Sequence, residues 1–202
     1  VMQIFERALL RAGYRSEFTQ GYNPKPRIEF AQPLSLGIAG EAEIALAELR
    51  DFDEEDRFAA DLNGALPEGL EVSRVRFLPT YQIGQKKRSL MSMYRGSEYR
   101  IEPSGEGDET VLSGLAERLG KRGEGAAGNV HLLHRGSDRL VLRIDQMEKR
   151  TGNIHKILTS LGLDEEDRSR LAITRTRILA ARPDAADRAA VSYFDLDLGC
   201  SS

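Results

Sequence analysis

The sequence has little of what metal and redox sites are built from: one cysteine, three histidines and no tryptophan among 202 residues. Cys200 alone can form neither an internal disulfide nor a thiolate zinc cluster. His131 and His134 are three apart in a predicted strand, which places them on opposite faces, and His155 lies on another element. We therefore expect no metal site and no cofactor.

Long apolar runs are also absent. No stretch approaches the roughly 18 residues that cross a bilayer, and the N-terminus lacks the layout of a secretory signal. Hydrophobic residues make up 40% and charged residues 30% of the chain, which is typical of a soluble globular protein. The expected location is the cytoplasm, without membrane contact.

Neither charge sign dominates, because 29 basic and 32 acidic residues give a formal net charge of −3. An overall-basic nucleic-acid binder is excluded, so any basic surface must come from local clustering. No Ser-His-Asp or Cys-His arrangement and no glycine-rich phosphate loop is recognisable. The sequence thus favours a binding function over an enzymatic one, without deciding between them.

The first half of the chain predicts the order helix, strand, strand, helix, strand from its periodicity and turn residues. The segments are VMQIFERALLRAG (1–13), RIEF (27–30), EAEIALAELR (41–50), DEEDRFAADLNGAL (53–66) and LEVSRVRF (70–77). Residues 41–50 have helix propensity; we interpret them as a strand because the second half suggests a duplication.

The second half predicts strand, helix, strand, strand, helix, strand. The segments are EYRIEP (98–103), GDETVLSGLAERLG (107–120), a hairpin in NVHLLHRGSDRLVLRID (129–145), NIHKILTSLGL (153–163) and LAITRTRILA (171–180). This is the split βαβ order of a ferredoxin-like sheet with two helices on one face. The first half repeats it without the opening strand.

The predicted fold class is therefore α+β, with two tandem ferredoxin-like (βαββαβ) units, the first lacking its N-terminal strand through truncation. The apolar stripe that starts at residue 1 without a helix cap suggests this truncation. The expected divisions are a first unit over 1–78, a linker over 79–96, a second unit over 97–181 and a tail over 182–202. In the tail, residues 184–190 suit a short helix, and VSYFDLDLG suits either a further strand or a segment that lies on a partner.

Several motifs together resemble those of a known family. They are ERALLRAG, TQGYNPKPRIEFAQPLSLGIAGEAE, SLMSMY, NIHKILTSLGL and ITRTRILA. The chain resembles the radical SAM-linked protein family, a bacterial domain of unknown function found alone or fused to a cobalamin-binding radical SAM protein. The family loop often reads Gly-Phe-Asn-Pro-His-Pro-Arg; here Tyr22 stands at the aromatic position and Lys25 at the histidine. The likeness covers the chain to about residue 181.

The resemblance implies an accessory role beside a radical SAM/cobalamin-binding protein, which is either fused to this chain or encoded separately. It also implies RNA as a further partner. The chain lacks the cysteine triad of a radical SAM cluster, so it cannot itself be that catalyst.

The segment TQGYNPKPRIEF, residues 19–30, holds the main candidate binding residues. Pro24 and Pro26 fix extended geometry and remove two backbone donors, which predicts a stiff, polyproline-like arm. Its amide, aromatic and cationic side chains suit a single-stranded or looped nucleic acid. These candidates are Gln20, Tyr22, Asn23, Lys25 and Arg27. The alternative is a helix-to-strand turn with its aromatic packed on the sheet and its cations solvated.

Further cations could extend such a surface by contacting phosphates. They are the triplet Lys86, Lys87 and Arg88 in the linker, the strand pair Arg74 and Arg76, and the strand pair Arg175 and Arg177. Residues two apart in a strand share a face, so each pair is expected to point one way. The alternative is that all seven are ordinary solvated charges.

Three functions remain open at this point. The leading expectation is a non-catalytic accessory module, RNA-binding or substrate-presenting, that works with a radical SAM enzyme in RNA modification or processing. The second is a protein–protein interaction module that docks on the radical SAM protein. The third is an RNA-modifying enzyme of pseudouridine-synthase-like architecture, suggested only by paired ferredoxin-like units.

Overall fold

The computed structural model describes residues 2–78, 89–122, 129–146, 153–181, 190–192 and 194. In chain order the elements are α1 (Met2–Arg11), β1 (Ile28–Phe30), β2 (Ala39–Gly40), β3 (Ala45–Ala47), α2 (Glu55–Ala65), α3 (Leu90–Met93), β4 (Tyr94–Pro103), α4 (Glu109–Arg122), β5 (Val130–Arg135), β6 (Leu140–Asp145), α5 (Ile154–Ser160), α6 (Glu165–Ser169), β7 (Leu171–Ala180) and β8 (Val191–Ser192). The fold is a mixture of helices and mainly antiparallel strands, which confirms the α+β class. No helix among the described residues is long and apolar enough to cross a membrane.

The chain divides into two compact units. The first draws its described residues from Val1–Phe30 and Ala45–Ser92, and the second from Ala31–Ile44 and Met93–Leu196. The sequence placed the whole of residues 1–78 in one unit. In the structure, residues 31–44 leave the first unit between β1 and β3 and belong to the second.

The first unit builds its core from α1, α2 and a two-stranded sheet. β1 pairs antiparallel with β3, with Ile28 opposite Ala47. Leu9 and Leu62 are fully buried where α1 and α2 supply the core. Residues 45–47 therefore form the predicted strand despite their helix propensity, because pairing with β1 satisfies their backbone.

Residues 70–77 do not form the predicted strand. The Asn63 side chain accepts from the Val72 backbone N–H at 2.7 Å and donates to its carbonyl at 3.0 Å. The Phe77 N–H donates to a Glu55 carboxylate oxygen at 2.6 Å. Side chains of α2 thus take the place of a neighbouring strand, and Val72 and Val75 pack against the core at a spacing of three rather than two.

The second unit is built on a six-stranded sheet with the order β2-β7-β4-β6-β5, and β8 pairs with one end of β7. All pairs are antiparallel except β2 with β7. Leu112 and Leu115 of α4 and Leu158 of α5 are buried in one cluster with Tyr99 and Leu142 of the sheet. One sheet face therefore packs against the helices, and the other carries polar residues.

Most predicted elements of the second unit are confirmed, with shifted ends. The hairpin, the helix at residues 154–160 and the strand at 171–180 lie where expected. Within the predicted linker, α3 and the start of β4 occupy residues 90–96, and residues 79–88 lie outside the described residues. α4 continues past Gly120 to Arg122. The predicted helix at 184–190 lies outside the described residues except for residue 190, which is not helical.

Two of the register shifts in the sheet change the predicted faces of candidate residues. In β7, Arg175 lies opposite Tyr99 and Arg177 opposite Glu98, so Thr176 is an extra residue. Because Glu98 and Tyr99 are successive in β4, Arg175 and Arg177 point to opposite faces. The expectation that they share a face is wrong.

The second shift lies in β5, between Leu132 and His134. His131 lies opposite Arg143 and His134 opposite Val141, two residues that share a face of β6. The two histidines therefore lie on the same face, contrary to the prediction, because Leu133 is the extra residue.

Candidate binding arm

The binding arm, defined here as residues 18–26, projects from the first unit as a short antiparallel ribbon. Phe18 pairs with Pro26 across its base. The Thr19 N–H donates to the Lys25 carbonyl at 2.8 Å, and the Lys25 N–H donates to the Thr19 hydroxyl at 3.0 Å. The arm is therefore closed by its own hydrogen bonds, although its two prolines supply no backbone donor.

The base of the arm is anchored to the edge of the first unit's sheet. The Arg27 N–H donates to the Glu17 carbonyl at 2.7 Å, and the Glu17 N–H donates to the Glu48 carbonyl at 2.8 Å. The Glu48 N–H donates in turn to the Arg27 carbonyl at 3.0 Å. Three stretches of chain thus meet at the base, which fixes the direction in which the arm leaves the unit.

The tip of the arm, residues 20–24, is open to solvent. Gly21 has a φ of +138°, a conformation that other residues rarely adopt, and it turns the chain back on itself. Tyr22 is fully exposed, and Gln20 and Asn23 are exposed beside it. Tyr22 therefore does not pack on the sheet, which removes the structural alternative considered for it. The 45% exposure of Phe18 adds a second aromatic surface at the base.

The charges of the arm are fewer than the sequence suggests. The Arg27 guanidinium lies 3.0 Å from the Glu48 carboxylate, and both side chains are partly buried. Arg27 is therefore turned toward the unit rather than presented at the tip. Lys25 is exposed, and none of the described residues forms an ion pair with it. It is also the one charged residue within the arm.

The remaining predicted contacts of the first unit are scattered. Arg74 and Arg76 are both exposed, in the irregular segment that follows α2. Their predicted strand is absent, so a shared strand face no longer unites them. The basic triplet Lys86, Lys87 and Arg88 lies outside the described residues.

In the second unit the two predicted arginines have different surroundings. Arg175 is only 1% exposed, and its guanidinium holds both carboxylate oxygens of Glu43 and the Gln32 carbonyl. Arg177 is about half exposed, with a nitrogen 3.5 Å from a Glu98 oxygen. The structure therefore buries Arg175, where the prediction required an exposed guanidinium, and leaves Arg177 at the surface beside a carboxylate.

Tyr94 and Tyr99 lie close to Arg175, in the interior of the second unit. The Tyr94 hydroxyl lies 3.1 Å from that of Ser97, and Tyr99 lies opposite Arg175 in the register of β4 and β7. Burial raises the pKa of both tyrosines. Burial alone lowers the pKa of Arg175, but the hydrogen bond and charge of Glu43 outweigh it and the net direction is upward.

This cluster was not found by sequence reasoning. Glu43 lies in a segment that was interpreted as part of the first unit. Its pairing with Arg175 on β7 was therefore not expected. Within the described residues, no group of three or more histidine, cysteine, aspartate or glutamate side chains is arranged to hold a metal ion.

Comparison with known proteins gives a family but no activity. Residues 1–183 match the family model described as an uncharacterized protein conserved in bacteria, DUF2344. No curated protein and no solved structure matches the sequence. Since the match includes the binding arm and both units, the chain belongs to the DUF2344 family of bacterial proteins.

Proposed function

We propose that this protein is a non-catalytic accessory module that docks on a partner protein through the binding arm. The observation that supports this most directly is a fully exposed tyrosine, Tyr22, on an arm whose base is fixed by hydrogen bonds. Tyrosine is among the residues that dominate the energetics of protein interfaces. A lone exposed aromatic at the end of a projecting ribbon is positioned to insert into a pocket of a partner.

The stiffness of the arm supports the same function. Pro24 and Pro26 limit the conformations of the free arm, so less entropy is lost when the arm is ordered on a partner. Its low charge also favours a protein surface over a polyanion. Of the expected phosphate contacts, Arg27 is paired with Glu48 and Arg175 is buried against Glu43.

The proposed partner is a radical SAM/cobalamin-binding protein, fused to this chain or encoded separately, and the proposed location is the cytoplasm. The partner follows from the resemblance described above, and the location from a sequence without a membrane-crossing apolar run or a secretory signal. The proposed role is to position that enzyme or its substrate in RNA modification or processing, while the partner supplies the chemistry.

The docking function can be tested with the purified partner. Tyr22→Ala is expected to weaken binding roughly 30-fold, since an interface hot spot is worth about 2 kcal/mol. Leu36→Ala is the matched control, because Leu36 is as exposed as Tyr22 but lies outside the arm. Equal affinities of the two variants, measured by calorimetry, would reject the arm as the docking element.

RNA binding is the second candidate, and the adjacency of Tyr22, Asn23 and Lys25 in the arm favours it. These residues supply a stacking surface, a base-edge group and a cation for one phosphate. Affinity should then fall with rising salt, and Lys25→Gln should reduce the slope by about 1. Partner association that disappears after nuclease treatment would favour RNA over direct docking.

The fold class can be refined as part of the same proposal. The second unit runs β4-α4-β5-β6-α5-β7, with α6 before the last strand, and its central strands take the antiparallel order β7-β4-β6-β5. This supports a ferredoxin-like βαββαβ unit. For the first unit, α1, β1, β3 and α2 follow the expected order, and duplication stays a prediction. A pseudouridine-synthase-like activity also stays a prediction, which assays for isomerised uridine would test.

A further inference from the structure

The segment of residues 31–44, called the strap here, places a carboxylate against a buried cation of the second unit. β2, within the strap, pairs with β7 through two residues, Ala39 opposite Thr174 and Gly40 opposite Arg175. Just beyond β2, Glu43 reaches the Arg175 guanidinium through both carboxylate oxygens, one of them 2.8 Å from Nε. This two-point fork is the arrangement by which arginine recognises carboxylate and phosphate groups.

Neutral hydroxyl groups lie near the same guanidinium. Tyr99 lies opposite Arg175 in the register of β4 and β7, and the Tyr94 hydroxyl lies 3.1 Å from that of Ser97. Ser97 is fully buried, and both tyrosines are almost fully buried. A fixed guanidinium and nearby hydroxyl groups in a water-poor setting can bind an oxyanion, because these polar groups need little reorganisation when the anion arrives.

The two partners of the ion pair differ in how free they are to leave. The Arg175 side chain is 2% exposed and the Glu43 side chain is 33% exposed. The Glu43 carboxylate can turn toward the solvent and become fully hydrated, whereas the buried Arg175 guanidinium cannot reach water. Because an unpaired buried cation is strongly unfavourable, Glu43 can leave only when another anion replaces it.

Two further features suit an exchange of anions at this position. A Cβ on Gly40 would lie 2.6 Å from a Glu43 oxygen, so the absence of a side chain there leaves room for the carboxylate. The side-chain oxygen of Gln32 is buried and has no hydrogen-bond partner among the described residues, and the carbonyl of the same residue accepts from Arg175 at 2.7 Å. A ligand that carries an O–H group, such as a phosphate, could supply the missing donor.

We propose that Arg175 is an oxyanion-binding site, occupied by Glu43 in this structure and by a small phosphate or carboxylate group when Glu43 withdraws. The site belongs to the second unit and does not depend on the binding arm. Failure of one proposal therefore leaves the other standing.

The test uses the full chain in chloride buffer, with inorganic phosphate and acetate as probes. Glu43→Gln leaves Arg175 without its anion, so it is expected to lower the thermal midpoint and to bind phosphate at least tenfold more tightly than wild type. Glu41→Gln is the matched control, since Glu41 lies on the same strap but pairs with Arg100. It is expected to respond to phosphate as wild type does. A stronger response to acetate than to phosphate would assign the site to carboxylates.

The role of the guanidinium is tested separately. In the wild-type chain, phosphate should produce a saturable shift of the thermal midpoint, and Arg175→Lys should weaken this binding at least tenfold because lysine lacks the fork. A folded Glu43→Gln protein that responds to both probes no more than Glu41→Gln would overturn the proposal, as would an unchanged response in Arg175→Lys. If Glu43→Gln does not fold, the shorter Glu43→Asp should give the same ranking against Glu41→Gln.

Discussion

Arg175 and Arg177 are two residues apart in one strand, yet they face opposite sides of the sheet because Thr176 is an extra residue in the register of β7. Arg175 points into the interior toward Tyr99 and Glu43, while Arg177 lies at the surface beside Glu98. Two arginines that look equivalent in the sequence are therefore expected to differ in what they contribute to stability.

Substitution of each arginine by methionine tests this difference. Arg175→Met removes the buried hydrogen bonds to Glu43 and to the Gln32 carbonyl, and because hydrogen bonds of charged groups are worth about 1.5–3 kcal/mol, a loss of about 3 kcal/mol of unfolding free energy is expected. Arg177→Met removes a long, half-exposed contact and should cost less than about 1 kcal/mol. Urea denaturation, followed by hydrogen exchange of β7 amides, measures both. Equal losses would contradict the assigned burial.

The stability of the first unit is expected to depend on the protonation of Glu29. Glu29 lies on β1, partly buried, and accepts hydrogen bonds from the backbone of Leu90 and Met91; burial raises the pKa of its carboxyl. A raised pKa in the folded state means that the stabilising contribution is complete below the unfolded pKa and is lost as pH rises through the folded value.

Glu29→Gln should therefore raise the thermal midpoint at pH 7, because the amide oxygen still accepts hydrogen bonds and carries no buried charge. The gain should shrink as the pH falls toward 4. Glu68→Gln, at an exposed position, is the control and should change the midpoint at neither pH. A wild-type protein more stable than Glu29→Gln at pH 7 would show that the ionised carboxylate is favoured.

Asn63 is expected to matter for stability more than its polar side chain suggests. Asn63→Ala removes two hydrogen bonds to the Val72 backbone, each worth about 0.5–1.5 kcal/mol. Higher helix propensity of alanine offsets part of this loss. We expect a net destabilisation of about 1–2 kcal/mol by urea denaturation. Asn23→Ala, at the open tip of the arm, should be neutral; a similar loss there would contradict the exposed tip.

Arg27 should affect folding rather than docking. Arg27→Gln removes a partly buried ion pair with Glu48 and should cost about 1 kcal/mol. Partner affinity should stay near that of wild type, in contrast to Tyr22→Ala. Parallel measurement of the thermal midpoint and of partner affinity separates the two effects. A large loss of affinity without loss of stability would place Arg27 at the interface.

The periodicity of apolar residues and the turn residues predicted those elements that depend on neighbouring residues in the sequence or on burial of one face of the sheet. The strand at residues 171–180 has the predicted ends, and the hairpin at 130–145 follows from its turn. Residues 45–47 needed a duplication argument, because pairing with β1 overrides the helix propensity of their composition.

The errors share one physical cause, which is that they depend on partners distant in sequence. The extra residue Thr176 is set by pairing with β4, and the strap by pairing with β7, neither of which leaves a local signal. Residues 70–77 alternate like a strand but bond to side chains of α2. For the arm, an exposed Tyr22 was part of the predicted binding function. The ion pair between Arg27 and Glu48 was not predicted.

The route of the strap also has a consequence for biosynthesis. Glu43 leaves the ribosome well before Arg175, from which it is separated by 132 positions in sequence. The strap can reach its place only after β7 has been translated, so a contact this distant should delay completion of the second unit. For the same reason, a fragment that begins at residue 93 would lack Glu43, the carboxylate that neutralises the buried Arg175 guanidinium. Neither unit can therefore be expressed whole by dividing the gene at one position.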